Sequence, residues 1–128
     1  MAFRIVERVF SEDEQNPTVL IANIYGEPSV DKNMKKMEEI IEVAHRKNVN
    51  ILIFPELTVT GYIWKASDPK PVWDLLAEGE NSRIESWLNN IKSSLTEGQG
   101  GLEYIFYSNV REKDKRYYNC TFILNPSI

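Results

Sequence analysis

Two short runs of apolar residues, TVLIANIY (residues 18–25) and ILIF (residues 51–54), flank a segment in which apolar side chains recur at three- and four-residue steps. In that segment Met34, Met37, Ile40, Ile41 and Ala44 form one stripe, while Lys32, Lys35, Lys36, Glu38, Glu39, Glu42 and Arg46 occupy the other faces. The spacing predicts an amphipathic helix over residues 31–47, with Asp31 favourable as its cap or first-turn anion and Asn48 and Asn50 ending it. Pro17 and then Gly26 and Pro28 bound the first run, so it predicts a strand buried on both faces, and ILIF predicts a second. Strand, helix and strand within so short a span imply parallel pairing through a crossover.

Downstream, residues 63–81 show no sustained period and predict a long ordered connection, or a short helix with loops. Ser82 and Glu85 fit a capping box, and Ile84, Trp87, Leu88, Ile91 and Leu95 follow at helical spacing, predicting a second helix broken by the glycines of residues 98–101. LEYIFYSNV and YYNCTFIL, separated by REKDKR, predict an antiparallel hairpin. The sum is an α/β fold, a mixed sheet with two main helices on one face. The opposite face is left without a helix to cover it. Residues 1–17 form an N-terminal extension whose Phe3, Ile5, Val6, Val9 and Phe10 suit either an edge strand or a short helix.

Length and charge narrow the function classes. The chain has 128 residues, 42% hydrophobic and 27% charged, which fits one globular domain. Its net charge of −4 gives no electrostatic footprint for nucleic acid or an anionic membrane, and no apolar run approaches a membrane-spanning length or a secretory signal. A cytoplasmic location is the expectation. A single Cys120 and a single His45 provide no metal-ligand spacing, and no glycine-rich phosphate loop occurs, so neither a metal nor a cofactor is expected.

The residue that points to chemistry is Glu56. It follows the C-terminal end of a predicted parallel strand, the place where ligands collect in open α/β sheets. Pro55 ends the strand pairing and turns the chain, and a setting among Phe54, Leu57 and Tyr62 would desolvate the carboxylate as a general base requires. A solvated loop glutamate is the alternative. Tyr62 and Trp64, just past the Thr60-Gly61 turn, are candidates to line a substrate pocket, with core packing as their other reading. Cys120 lies in mid-strand and reads as a buried, inert thiol, and Lys113 and Lys115 read as solvated turn residues.

FPELTVTGY, preceded by a buried strand and by a helix containing Asn33, and followed by YYNCTFILNP, resembles the carbon-nitrogen hydrolase family, or nitrilase superfamily. The likeness runs from about residue 18 to residue 126, with Phe54-Pro55-Glu56 and Thr60-Gly61-Tyr62 its most specific pieces and Tyr118-Asn119 a second anchor. The resemblance implies the N-terminal half of an αββα sandwich, residues 18–128 being an incomplete domain. It implies that Glu56 is the general base of a Glu-Lys-Cys triad that hydrolyses a small-molecule amide, nitrile or related compound. In such proteins the lysine and then the cysteine come after the strand corresponding to CTFIL, so neither Lys115 nor Cys120 takes those places. Asn23 stands where many members have glutamine. The expectation is a chain inactive alone, and a homo-oligomer formed through the uncovered sheet face. Two other readings are a non-catalytic self-associating or partner-binding α/β module, and an unrelated α/β domain whose FPEL is coincidental, with Glu56 in a loop that no strand precedes.

Overall fold

A computed structural model of the chain describes residues 3–27, 29–62, 86–87, 89–91, 93 and 101–125. Strand β1 (Val19–Ile21) leads through helix α1 (Val30–Arg46) to β2 (Ile51–Ile53), and the hairpin of β3 (Tyr104–Lys113) and β4 (Arg116–Leu124) completes a four-stranded sheet in the order β1-β2-β3-β4. β1 and β2 are parallel, β2 and β3 are parallel, and β3 and β4 are antiparallel. The sheet is thus mixed, as the apolar pattern predicts.

Helix α1 begins where Ser29 accepts a hydrogen bond from the Lys32 amide, so Ser29 is the cap and Asp31 the first-turn anion. It ends at Arg46 with Lys47 as its cap, and Asn48 beyond takes a φ of 55° that leaves the helical region. Met37, Ile40, Ile41 and Ala44 are buried against the sheet together with Leu52, Phe54, Ile105 and Tyr107, with Leu20, Phe122 and Leu124 packed at the margin. Helical backbone is also present at Ser86, Trp87, residues 89–91 and Ser93, and from there Trp87 and Ile91 join the same core. The Trp87 indole N–H donates to the Glu38 carboxylate of α1, which satisfies its one polar atom. The expected capping box at Ser82 and Glu85 lies outside the described residues.

Three sequence expectations change. β1 is shorter than residues 18–25 and is not buried on both faces: Val19 is 47% and Ile21 73% exposed, because both point to the face turned away from α1, while Leu20 packs toward the core. The hairpin turn is tighter than REKDKR, since β3 and β4 run on to a two-residue turn at Asp114 and Lys115, with φ of 52° and 63°. Two successive left-handed residues match the right-handed twist of the flanking strands. Residues 3–17 form neither a strand nor a helix. Their charged residues leave too little apolar surface to order them as an element, and they are held by Phe3 against the core, by the Lys47–Glu7 ion pair at 3.1 Å and by a turn at Asp13–Asn16.

The loops following β1 and β2 meet at Asn33. Its side chain is 1% exposed; Oδ1 accepts from the Glu27 amide at 2.8 Å, and Nδ2 donates to the Glu27 carbonyl at 2.6 Å and the Val59 carbonyl at 3.0 Å. Around this clamp the backbones nearly touch, and a Cβ on Gly61 would sit 2.1 Å from the Glu27 carbonyl oxygen. Gly61 also has φ 67°, so both space and conformation require glycine. The Glu27 carboxylate, in turn, is held by Lys36 at 3.0 Å, which keeps it below the ordinary glutamate range. At the opposite end of the strands Asn50 does related work, accepting from the Thr18 amide at 2.8 Å and donating to the Gly101 carbonyl at 3.0 Å.

Replacing Asn33 with alanine leaves the buried Val59 carbonyl and the half-buried backbone groups of Glu27 without this partner and is expected to lower the unfolding free energy by roughly 2–4 kcal/mol. Urea denaturation of Asn33→Ala beside Lys35→Ala, an exposed change on the same helix, checks this; equal midpoints would contradict the clamp.

Candidate active site

Residues 54–62 leave β2 at Pro55 and fold into a turn that is almost entirely buried. Phe54 is 5%, Leu57 1%, Thr58 1%, Val59 0% and Thr60 0% exposed. The turn is closed by the Gly61 amide donating to the Leu57 carbonyl at 2.7 Å and by the Thr58 hydroxyl donating to the Pro55 carbonyl. The Val59 amide donates to the Ser108 carbonyl at 3.3 Å, fastening the turn to β3. Leu57 takes a left-handed φ of 51°, a conformation that bulky residues seldom adopt and that the surrounding bonds hold in place.

Out of this buried turn Glu56 projects to solvent. Here the structure corrects the expected desolvation: Phe54 and Leu57 point into the core, and the carboxylate stands on the outer side of the turn. The strand preceding it, β2, has β1 and β3 as neighbours, so Glu56 lies at the C-terminal end of an interior parallel strand. Two side chains reach it. Asn119 Nδ2 donates to Oε1 at 2.5 Å, and the Tyr62 hydroxyl donates to Oε2 at 3.4 Å. Tyr62 is therefore beside the carboxylate, whereas Trp64, the other pocket candidate, lies outside the described residues.

Strand alternation and register settle which face of the sheet Glu56 shares. Ile21, Ile53, Phe106 and Ile123 stand opposite one another across the four strands, on the face turned away from α1. Ser108, Thr121 and Asn119 continue that face toward Glu56. Ile53, Phe54, Glu56, Phe106, Tyr107, Ser108, Asn119 and Thr121 enclose an open depression of about 310 Å³ there. Its lining mixes apolar residues with Ser108, Asn119 and Thr121 and holds one carboxylate, that of Glu56. Cys120 alternates to the α1 side with Phe122, and Lys113 and Lys115 are exposed at the far turn, so none of the three lines the depression. Among the described residues no group of three or more His, Cys, Asp or Glu is placed to hold a metal ion. No helix among them is long and apolar enough to cross a membrane.

Asn119 and Ser108 are the site residues for which the residue pattern alone gave no role. Asn119 belongs to the Tyr118-Asn119 anchor, but its nearness to Glu56, 63 positions away, is set by the hairpin register. Comparison with known proteins gives a consistent picture. Residues 18–127 match the family described as Carbon-nitrogen hydrolase. Among solved structures, the fold is similar to a glutamine-dependent NAD(+) synthetase from Cytophaga hutchinsonii, with a TM-score of 0.64 over 88% of this chain and 23% sequence identity. The chain spans 18% of the length of that protein, and the likeness is one of fold. No curated protein matches the sequence.

Tyr107, on the α1 side of β3, stacks on Phe122 with ring centroids 5.2 Å apart, and burial pushes its phenol up to about 12 although the Arg111 charge works against this. The fold thus favours the neutral phenol. Its contribution is fully present below the ordinary tyrosine range near 10 and is lost as pH rises from there to about 12, because the unfolded chain releases this proton first. Urea midpoints measured from pH 9 to 12 should fall more steeply for the wild type than for Tyr107→Phe; parallel curves would contradict the assignment.

Proposed function

This chain belongs to the carbon-nitrogen hydrolase family, and on that premise we propose that it carries the general-base part of an enzyme that cleaves a linear amide, nitrile or related carbon–nitrogen bond. The observation that carries the reading is Glu56: an accessible carboxylate on a rigid, buried turn at the end of an interior strand, facing an open depression. Its motif residues coincide with those that mark the general base in the resemblance drawn from the sequence.

In this proposal Glu56 takes the proton from a cysteine thiol, and the thiolate adds to the carbonyl or nitrile carbon. A lysine stabilises the charge that develops on the attacked group, and for an amide Glu56 passes its proton to the nitrogen, which leaves as the amine, so that a thioester remains and Glu56 is ionised again. Glu56 then takes a proton from water, which attacks the thioester and releases the acid and the thiol. Glu56 is the member of the proposed triad that this chain contributes, and the resemblance puts the lysine and then the cysteine after the strand corresponding to β4.

A second reading is favoured by one specific observation, the exposed apolar row on the face turned away from α1. Ile21 is 73% and Ile123 60% exposed there. Such a row suits pairing with a second copy of the chain through the same face, in a non-catalytic module or alongside the catalytic role.

The purified 128-residue chain is expected to show no amidase or nitrilase turnover; Glu56-dependent hydrolysis by it would overturn the proposal. When the gene is expressed through the codons that follow Ile128, Glu56→Gln should lower turnover by roughly 10²–10⁴-fold, the usual contribution of a general base. For the second reading, sizing with light scattering should give a dimer or larger species that Ile123→Lys dissociates. A monomer in both variants would remove it.

A further inference from the structure

We infer that Asn119, held by Ser108, is a positioning residue that aims the Glu56 carboxylate into the depression, an assignment that rests on the proposed role of Glu56. The hydrogen bonds form a chain of consistent polarity. The Ser108 hydroxyl donates to Asn119 Oδ1 at 3.1 Å, and Asn119 Nδ2 donates to Glu56 Oε1 at 2.5 Å. An amide has one accepting and one donating end, so rotating it by half a turn would set its oxygen against the carboxylate and its nitrogen against a hydroxyl now forced to accept. The carboxylate can only accept, so Glu56 fixes the amide with its nitrogen outward, and the Ser108 hydroxyl, able to donate or accept, donates to the oxygen that remains and anchors it.

The support beneath this chain is rigid. Ser108 is 5% exposed and stands opposite Thr121, while Asn119 stands opposite Val110, all within the long β3–β4 ladder. A buried hydroxyl needs a partner, and Asn119 supplies it. Glu56, by contrast, is an exposed side chain with several rotatable bonds, and a glutamate free in solvent spreads over many rotamers. Tyr62 reaches the other carboxylate oxygen only at 3.4 Å, so Asn119 is the closer of the two restraints. The amide is also uncharged and does not titrate, so it holds the carboxylate without forming an ion pair that would compete with proton transfer. A lysine in its place would bind Glu56 as a salt bridge, and an aspartate would repel it.

The test uses the complete 128-residue chain in solution, labelled with ¹⁵N and ¹³C, and reads side-chain resonances by NMR. In the wild type the Asn119 Nδ2 signals should move with pH in step with the Glu56 carboxyl carbon, and this movement should be lost in Glu56→Gln. The two Glu56 γ-protons should be resolved from one another in the wild type, as for a side chain held in one rotamer. In Asn119→Ala they should collapse toward a single shift, and in Ser108→Ala the Asn119 signals should lose at least half of their pH-dependent displacement. Retention of the ring-shifted Tyr107 and Phe122 signals identifies variants that keep the fold. Asn119 signals that stay flat while Glu56 titrates, or γ-protons that remain resolved in a folded Asn119→Ala, would overturn the inference. None of these readouts depends on turnover, so they separate failure of the positioning role from failure of the general-base reading, which the kinetics of Glu56→Gln decide.

Discussion

The three hydrogen bonds of Asn33 are the constraint on which the rest of the arrangement depends. A parallel β–α–β unit brings its strands together through the sheet, but nothing in that topology fixes the two loops at the C-terminal ends. Asn33 does so from the first turns of α1, holding the loop after β1 by both backbone groups of Glu27 and the loop after β2 by the Val59 carbonyl. It is buried and fully engaged, so its polar atoms cost little where they lie. The close approach of Gly26 and Gly61 follows from this clamp, and a side chain at Gly61 would push the loops apart.

Once the turn after β2 is packed in this way, Glu56 has a direction. The residues that follow it are buried, and the chain has no room to rotate them outward and Glu56 inward. A carboxylate that would otherwise be an ordinary surface charge therefore stands at a defined place, at the end of β2 and beside the hairpin. Fixing the backbone and fixing the side chain are separate tasks. Asn33 performs the first, and the contacts from Asn119 and Tyr62 bear on the second.

Much of this was legible in the order of residues. The apolar stripe of α1, the runs that became β1 and β2, and the hairpin were visible because burial imposes a period on a helix and an apolar run on an interior strand. The prominence of Glu56 was visible because Pro55 and Gly61 are residues with strict backbone demands. What the pattern could not give was sidedness. Burial of β1 on both faces was the wrong expectation because an apolar run does not reveal whether its second face has a partner. Glu56 is solvated, not desolvated, for a related reason, since neighbours in sequence within a tight turn point in different directions. Asn33 and Asn119 carry no periodic signal at all. Their partners are set by loop and register geometry, and a lone asparagine reads the same in a clamp as on a surface.

Central to the proposed function is that the face bearing Glu56 is one side of a two-sided site, with Ile21, Ile53, Phe106 and Ile123 as the surface on which the other side rests. Hydroxyl-radical footprinting of the protein isolated from its natural source, in whatever polypeptide it occurs, measures this directly. Ile21 and Ile123 are predicted to be protected nearly as well as Leu52 in the core, although both are exposed in the chain alone. Oxidation of Ile21 and Ile123 as ready as that of the fully exposed Phe10 would contradict it.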